Sequence, residues 1–137
     1  MGVELTPFSA AAIGLSLNCG AYMAEIIRGG IQSIDKGQFE AAKALGFTYA
    51  DTMKKIILPQ TFKVIIPPVG NEFIALLKDT SLVSTIAMVE LMRSAQQIYA
   101  STFRPIEVFF TAGVLYLLLT TIFTGVFGVF EKKLSVY

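Results

Sequence analysis

Charges are sparse and unevenly placed along this chain. None falls between Leu5 and Ala24, a stretch of 20 residues, and none between Val108 and Phe130, a stretch of 23. At 1.5 Å per residue, either is long enough to cross the roughly 30 Å hydrocarbon core of a bilayer as a helix. A third apolar stretch, Val64 to Val89, is interrupted by Pro67–Pro68, Gly70, Asn71, Glu72, Lys78 and Asp79. The pattern predicts an all-α integral membrane protein with three transmembrane helices, the middle one broken. Gly14, Ser16, Asn18, Gly20 and Ala21 make the first span rich in small positions, as expected of a helix packed against other spans. The Phe-, Leu- and Val-rich last span suits partial contact with lipid. Glu25 and Arg28, at i,i+3, are placed to pair where the first span leaves the membrane.

Between the first two spans the polar pattern turns helical and is punctuated. Phe39, Ala42 and Leu45 recur at three-residue spacing, with Gly37 as a start signal and Gly46 as a left-handed stop. Glu40 falls in the first turn, where the helix dipole favours a carboxylate. Thr48 and Asp51 have the spacing of a capping box for a second short helix. Tyr49, Met53 and Ile56 give that helix an apolar stripe, with Lys54 and Lys55 turned away and Pro59 stopping or kinking it. Residues 82–101 read as one amphipathic helix, with Leu82, Ile86, Val89 and Met92 opposite Glu90, Arg93, Ser94, Gln97 and Ser101.

Charge orients this arrangement. Residues 28–63 hold six basic side chains (Arg28, Lys36, Lys43, Lys54, Lys55, Lys63) against three acids (Asp35, Glu40, Asp51). The positive-inside rule makes this loop cytoplasmic, with the N-terminus outside and the C-terminus, after Lys132–Lys133, inside. Charged residues are 15% of the total against roughly 25% in soluble domains, and 137 residues hold a single domain, 1–137. The net charge of +1 gives no electrostatic case for nucleic acid. With no histidine and one cysteine, Cys19, neither an internal disulfide nor a Cys/His zinc site can form. No P-loop and no nucleophile-elbow serine occurs, so the reading is not an enzyme: no catalytic residues, no metal, no ATP site. The N-terminus, with Glu4 and no basic cluster, does not look like a cleaved signal peptide.

Glu72, Lys78 and Asp79 place three charges within eight residues of an apolar span. Each costs about 2.5–3.5 kcal/mol at membrane depth on insertion scales, so they must face protein or an aqueous path. An interrupted span with ionisable groups at its break is the form of a transporter's substrate site. Asn71, Glu72, Lys78 and Asp79 are therefore the candidate substrate-binding residues. Lys78 and Asp79 offer the base and acid that an amino acid's carboxylate and ammonium require. On a helix, Glu72 and Asp79 share a face about 10 Å apart along the axis, which suits the far end of a long cationic side chain. The plainer alternative is an internal Glu72–Lys78 ion pair, with Asp79, Thr80 or Ser81 capping the following helix.

The run Glu40-Ala41-Ala42, Gly46 and Ile56-Ile57-Leu58-Pro59 resembles the signature of the membrane-spanning permease subunits of ATP-binding-cassette (ABC) importers. Arg28-Gly29-Gly30-Ile31-Gln32-Ser33-Ile34 and Lys78-Asp79-Thr80-Ser81-Leu82 look like the branch that carries polar amino acids. The resemblance covers essentially the whole chain, though family members are usually longer by about two N-terminal spans. It implies a cell inner (cytoplasmic) membrane protein with a coupling helix in its cytoplasmic loop. Gln38, Phe39, Glu40, Ala41, Ala42, Ala44, Leu45 and Gly46 would insert into a cleft of a cytoplasmic ATPase, which binds the ATP and magnesium. It also implies a solute-binding protein outside, near Glu90 to Arg104, and a homodimer or heterodimer with a related permease. Among substrates, arginine or lysine is expected over glutamine. The competing reading is a small channel or membrane scaffold without an ATPase partner, which leaves the glycine-punctuated loop helix unexplained.

Overall fold

The computed structural model describes residues 4–135, and among them every regular element is helical. Helix α1, Pro7–Gln32, opens with Pro7 in its first turn, where a missing N–H costs nothing, and with the Thr6 hydroxyl accepting the Ser9 N–H at 3.2 Å. It runs eight residues past Ala24 and carries the exposed Glu25–Arg28 ion pair. A short turn leads to α2, Lys36–Ala44, and then to α3, Tyr49–Thr52. A π-helical turn, Met53–Ile57, joins α3 to α4, Leu58–Asp79. A 3₁₀ segment, Thr80–Ile86, follows, then α5, Leu91–Thr102, and α6, Pro105–Ser135.

Two of these helices, α1 and α6, are long and apolar enough to cross a membrane. The third expected span is α4, and its expected break at the prolines is not there. One helix runs through Pro67, Pro68, Gly70, Asn71 and Glu72 to Asp79. The prolines remove two amide donors, and packing on both sides holds the helix through the gap. The changeover falls instead at Thr80, whose hydroxyl donates back to the Leu77 carbonyl at 2.6 Å rather than capping forward. Nor does Pro59 stop a helix. The widened turn before it, closed by the Leu58 N–H on the Met53 carbonyl, makes room for a ring that would otherwise meet the carbonyl four residues back. The expected single helix over 82–101 is two pieces, separated at Ala87, which lies in the left-handed region at φ 61.

Helix α4 is the centre of the bundle, packed antiparallel against α1 on one side and α6 on the other. The α1 contact is closest at Gly30, where a Cβ would lie 2.2 Å from Ile65 Cγ2 and 3.2 Å from Thr61 Cγ2. Gly30, Thr61 and Ile65 are all buried, so the helices meet through a missing side chain. The α6 contact is aromatic: Phe73 meets Phe123 and Phe127 in tilted pairs with ring centres 5.2 and 5.4 Å apart, and Phe127 presses on Gly70. Few large apolar side chains are fully buried, and the apolar window of α6 has none of its residues buried. Such a surface suits lipid and further protein rather than water.

Candidate functional site

The first candidate region is the α2–α3 loop. Asp35, not Gly37, starts α2: its carboxylate accepts the Gly37 N–H at 2.7 Å. The Asp-x-Gly spacing ahead of Phe39 carried that signal. At the other end Gly46 is left-handed at φ 79. Phe47 N–H reaches the Ala42 carbonyl and Gly46 N–H the Lys43 carbonyl, both at 3.0 Å, closing a Schellman motif. Of the expected apolar face, Ala42 is buried against α3 and Phe39 half-buried, but Leu45 is 77% exposed. Leu45 is the last residue before the turn, where the helix has already left its neighbour. Gln38, Glu40, Ala41, Ala44 and Gly46 are exposed with it.

Thr48 caps α3, accepting the Asp51 N–H at 3.2 Å and donating its hydroxyl to the Asp51 carboxylate at 2.7 Å. Asp51 also pairs with Lys55 at 2.8 Å, and Lys55 Nζ stands 5.6 Å from the Phe47 ring centre. The hydrogen bond from Lys55, then that from Thr48, holds the Asp51 carboxyl below the usual carboxylate range. The expected Tyr49–Met53–Ile56 stripe is displaced. Thr52 and Ile57 are the buried pair, because the π turn moves the inward position by one residue, and Tyr49 is 74% exposed.

The second region is the polar face of α4, which separates the four candidates into two pairs. Glu72 and Asp79 return to one face at 3.6 residues per turn, the face of Thr61 and Ile65 against α1. Both acids are half-buried, and Asp79 lines a hollow of about 430 Å³ with Gly14 and Asn18 of α1. Asn71 and Lys78 lie about 100° around the helix and are exposed. Asn71 opens on a separate hollow of about 150 Å³ with Thr124 and Glu131 of α6. Among the described residues no ion pair joins Glu72, Lys78 or Asp79, and Asp79 makes no capping hydrogen bond. The structure thus gives one acidic face and one amide–ammonium face, and it does not bring the four together within the single chain.

Sequence reasoning missed one polar junction. Glu90 caps α5, accepting the Met92 and Arg93 N–H groups at 2.7 and 2.5 Å, and it also accepts the Tyr116 hydroxyl of α6 at 3.0 Å. Glutamate is not a favoured cap, and a partner 26 residues away leaves no local signal.

Residues 1–136 match the family model described as the binding-protein-dependent transport system inner membrane component. The chain is 45% identical over 135 residues to the arginine transport system permease protein ArtQ of Bacillus subtilis, covering 98% of this chain and 62% of that protein. It is 46% identical to the L-cystine transport system permease protein TcyB of the same organism, covering 98% and 58%. To the glutamine transport system permease protein GlnP of Escherichia coli K12 it is 38% identical, covering 98% and 61%. A crystal structure described as an amino acid ABC transporter with histidines superposes with a TM-score of 0.91 at 41% identity, over 96% of this chain and 62% of that one. The chain therefore spans about three fifths of the length of these relatives. With its signature loop folded and its spans apolar, it belongs to the family of binding-protein-dependent transport system inner membrane components.

Proposed function

We propose that this chain acts within the transmembrane subunit of an ABC importer of polar amino acids. The observation that carries the reading is the loop. Of the signature, Glu40-Ala41-Ala42 lies on α2, a helix capped by Asp35, ended at Gly46 and mostly exposed, while Ile56-Ile57-Leu58-Pro59 forms the π turn and the start of α4. A short helix with a polar face, a projecting Leu45 and a fixed end suits insertion into a partner's cleft. In this reading α1, α4 and α6 are three spans of one permease domain in the inner membrane, with the N-terminus outside and α2 and the C-terminus in the cytoplasm. Gln38 to Gly46 form the coupling helix of a cytoplasmic ATPase, which alone binds ATP and magnesium and does the hydrolysis. A solute-binding protein delivers substrate from outside. A second permease copy, identical or related, covers the exposed Asn71–Lys78 face, where an ammonium cannot stand against lipid. Asn71, Glu72, Lys78 and Asp79 then line the path. The unpaired acids Glu72 and Asp79 favour a cationic substrate, arginine or lysine, over glutamine.

The test is a complex reconstituted in vesicles with its ATPase and binding protein. Glu40 is the fifth residue of α2 and exposed, not part of the first turn as expected. Glu40→Lys reverses the charge on that exposed face and is expected to leave membrane insertion intact while abolishing stimulated ATP hydrolysis and uptake. Normal coupling in a well-inserted Glu40→Lys protein overturns the docking assignment. In the same vesicles Glu72→Gln is expected to depress arginine uptake far more than glutamine uptake. An equal loss for both removes the reason to prefer a basic substrate.

A further inference from the structure

We infer that the docking surface of the loop extends past α2 to an aromatic hollow shared with α3, and that the hollow takes an apolar side chain with a neighbouring carboxylate from the partner ATPase. The inference rests on the reading of this loop as the ATPase contact, and adds to it the residues and chemistry of the fit. Phe39, Lys43, Phe47, Tyr49 and Thr52 line a hollow of about 320 Å³ between the two helices. Exposed apolar side chains on α1 and α6 have lipid to face. The loop stands in water on that reading, where an open aromatic surface calls for a protein partner. The walls are set before a partner arrives. The Phe47 N–H is bound to the Ala42 carbonyl at 3.0 Å, and Lys55, paired with Asp51, stands 5.6 Å from the Phe47 ring centre. Tyr49 opens α3 directly after its Thr48 cap and is exposed. Preformed walls need little ordering on binding. The floor asks for no polar partner, because Thr52 is buried and its hydroxyl donates to the Thr48 carbonyl at 2.9 Å. The rim does. Lys43 is exposed and belongs to no ion pair among the described residues, while Asp51 is occupied by Lys55 and Thr48. An aromatic slot with a satisfied floor and an ammonium at its edge matches an amphipathic occupant, apolar at the tip with a carboxylate beside it.

The test titrates the full-length permease with its purified ATPase subunit and reads the dissociation constant, in detergent and in nanodiscs of anionic lipid. Leu45, exposed and outside the hollow, reports docking of α2 itself. Tyr49→Ala removes one wall at an exposed helical position that alanine fills well. It is expected to weaken binding by about tenfold or more in both media, the scale of an interface anchor, with hydrogen exchange at the Gly46 and Phe47 amides unchanged. Lys43→Gln is expected to weaken binding several-fold at low salt and to flatten its salt dependence. Loss with Leu45→Ala but none with Tyr49→Ala overturns the hollow and leaves the docking of α2 in place. No loss with either overturns the docking reading, and this inference with it. A Tyr49→Ala loss confined to the anionic nanodiscs gives the hollow to lipid, and faster exchange at Gly46 and Phe47 makes Tyr49 a structural residue; both overturn the proposal. Parent-like affinity and salt dependence in Lys43→Gln strike the carboxylate from the occupant.

Discussion

From Asp35 to Asp51 each change of direction is closed by a partner two to five residues away. Asp35 holds Gly37, Phe47 and Gly46 reach back to Ala42 and Lys43, and Thr48 holds Asp51. Along α4 the determinants are distant: Gly30 against Ile65, Phe127 against Gly70, Phe123 against Phe73. The loop is therefore specified by its own residues and keeps its shape wherever it is presented. The span takes its shape from its neighbours, and so does the allocation of its polar residues to faces.

Two adjacent glycines on α1 test the second case, because only one of them sits in the contact with α4. Gly29 has open space where a Cβ would go, whereas at Gly30 the Cβ meets Ile65. Gly30→Ala is expected to destabilise the α1–α4 pair by about 2–3 kcal/mol, the scale of overpacking in a tight contact. Gly29→Ala is expected to be neutral or stabilising by up to about 1 kcal/mol, alanine being the better helix former. Thermal unfolding in detergent measures both. A rescue of Gly30→Ala by Ile65→Ala ties the loss to that contact, and equal behaviour of the two glycines breaks the comparison.

What was legible in the sequence follows the same division. The apolar runs of α1 and α6, the Gly46 stop and the Thr48–Asp51 cap are all local statements, and each stands in the structure. The Pro67–Pro68 reading failed because a proline's effect depends on what surrounds it: packed between α1 and α6, the helix continues. Pro59 is accommodated by a π turn that no periodicity of 3.6 can foretell. The four polar candidates of α4 were readable as residues out of place in an apolar run. Their division into an acidic face and an amide–ammonium face follows only once the helix is known to be unbroken and its two neighbours are in place.

Gly46 supplies the next test, smaller and confined to the loop. Its need is conformational, since no atom lies within 4 Å of the added Cβ while φ is +79. Gly46→Val is expected to cost about 1–2 kcal/mol, the penalty of the left-handed region for a side chain with a Cβ. The loss falls on the end of α2 alone. Hydrogen exchange is expected to accelerate at the amides of Gly46 and Phe47, which close the Schellman motif, with exchange along α4 unchanged. Acceleration reaching α4 would show that the loop is not self-contained.

The smallest effect concerns Asp51. Its carboxyl is held below the usual range by Lys55 and Thr48, so the charged form is favoured in the folded loop. For a group whose folded pKa is depressed, the stabilisation is complete above the ordinary carboxylate value of about 3.9 and is lost as pH falls through the lower folded value. The α3 cap is therefore expected to hold its full strength at pH 5 and above and to weaken only in strong acid. Asp51→Asn removes this dependence while leaving the Thr48 hydroxyl free to accept the N–H at position 51. The pair is solvent-exposed, with Lys55 and Asp51 side chains 64% and 42% accessible, so salt is expected to shrink the effect further. Exchange at the amide of residue 51, followed from pH 5 down to about pH 2 in the parent and in Asp51→Asn and corrected for intrinsic exchange rates, measures it. Loss of protection in the parent alone would assign the cap's acid sensitivity to this carboxylate. The same loss in Asp51→Asn would move it to another group and weaken the view that the loop is closed by its own neighbours.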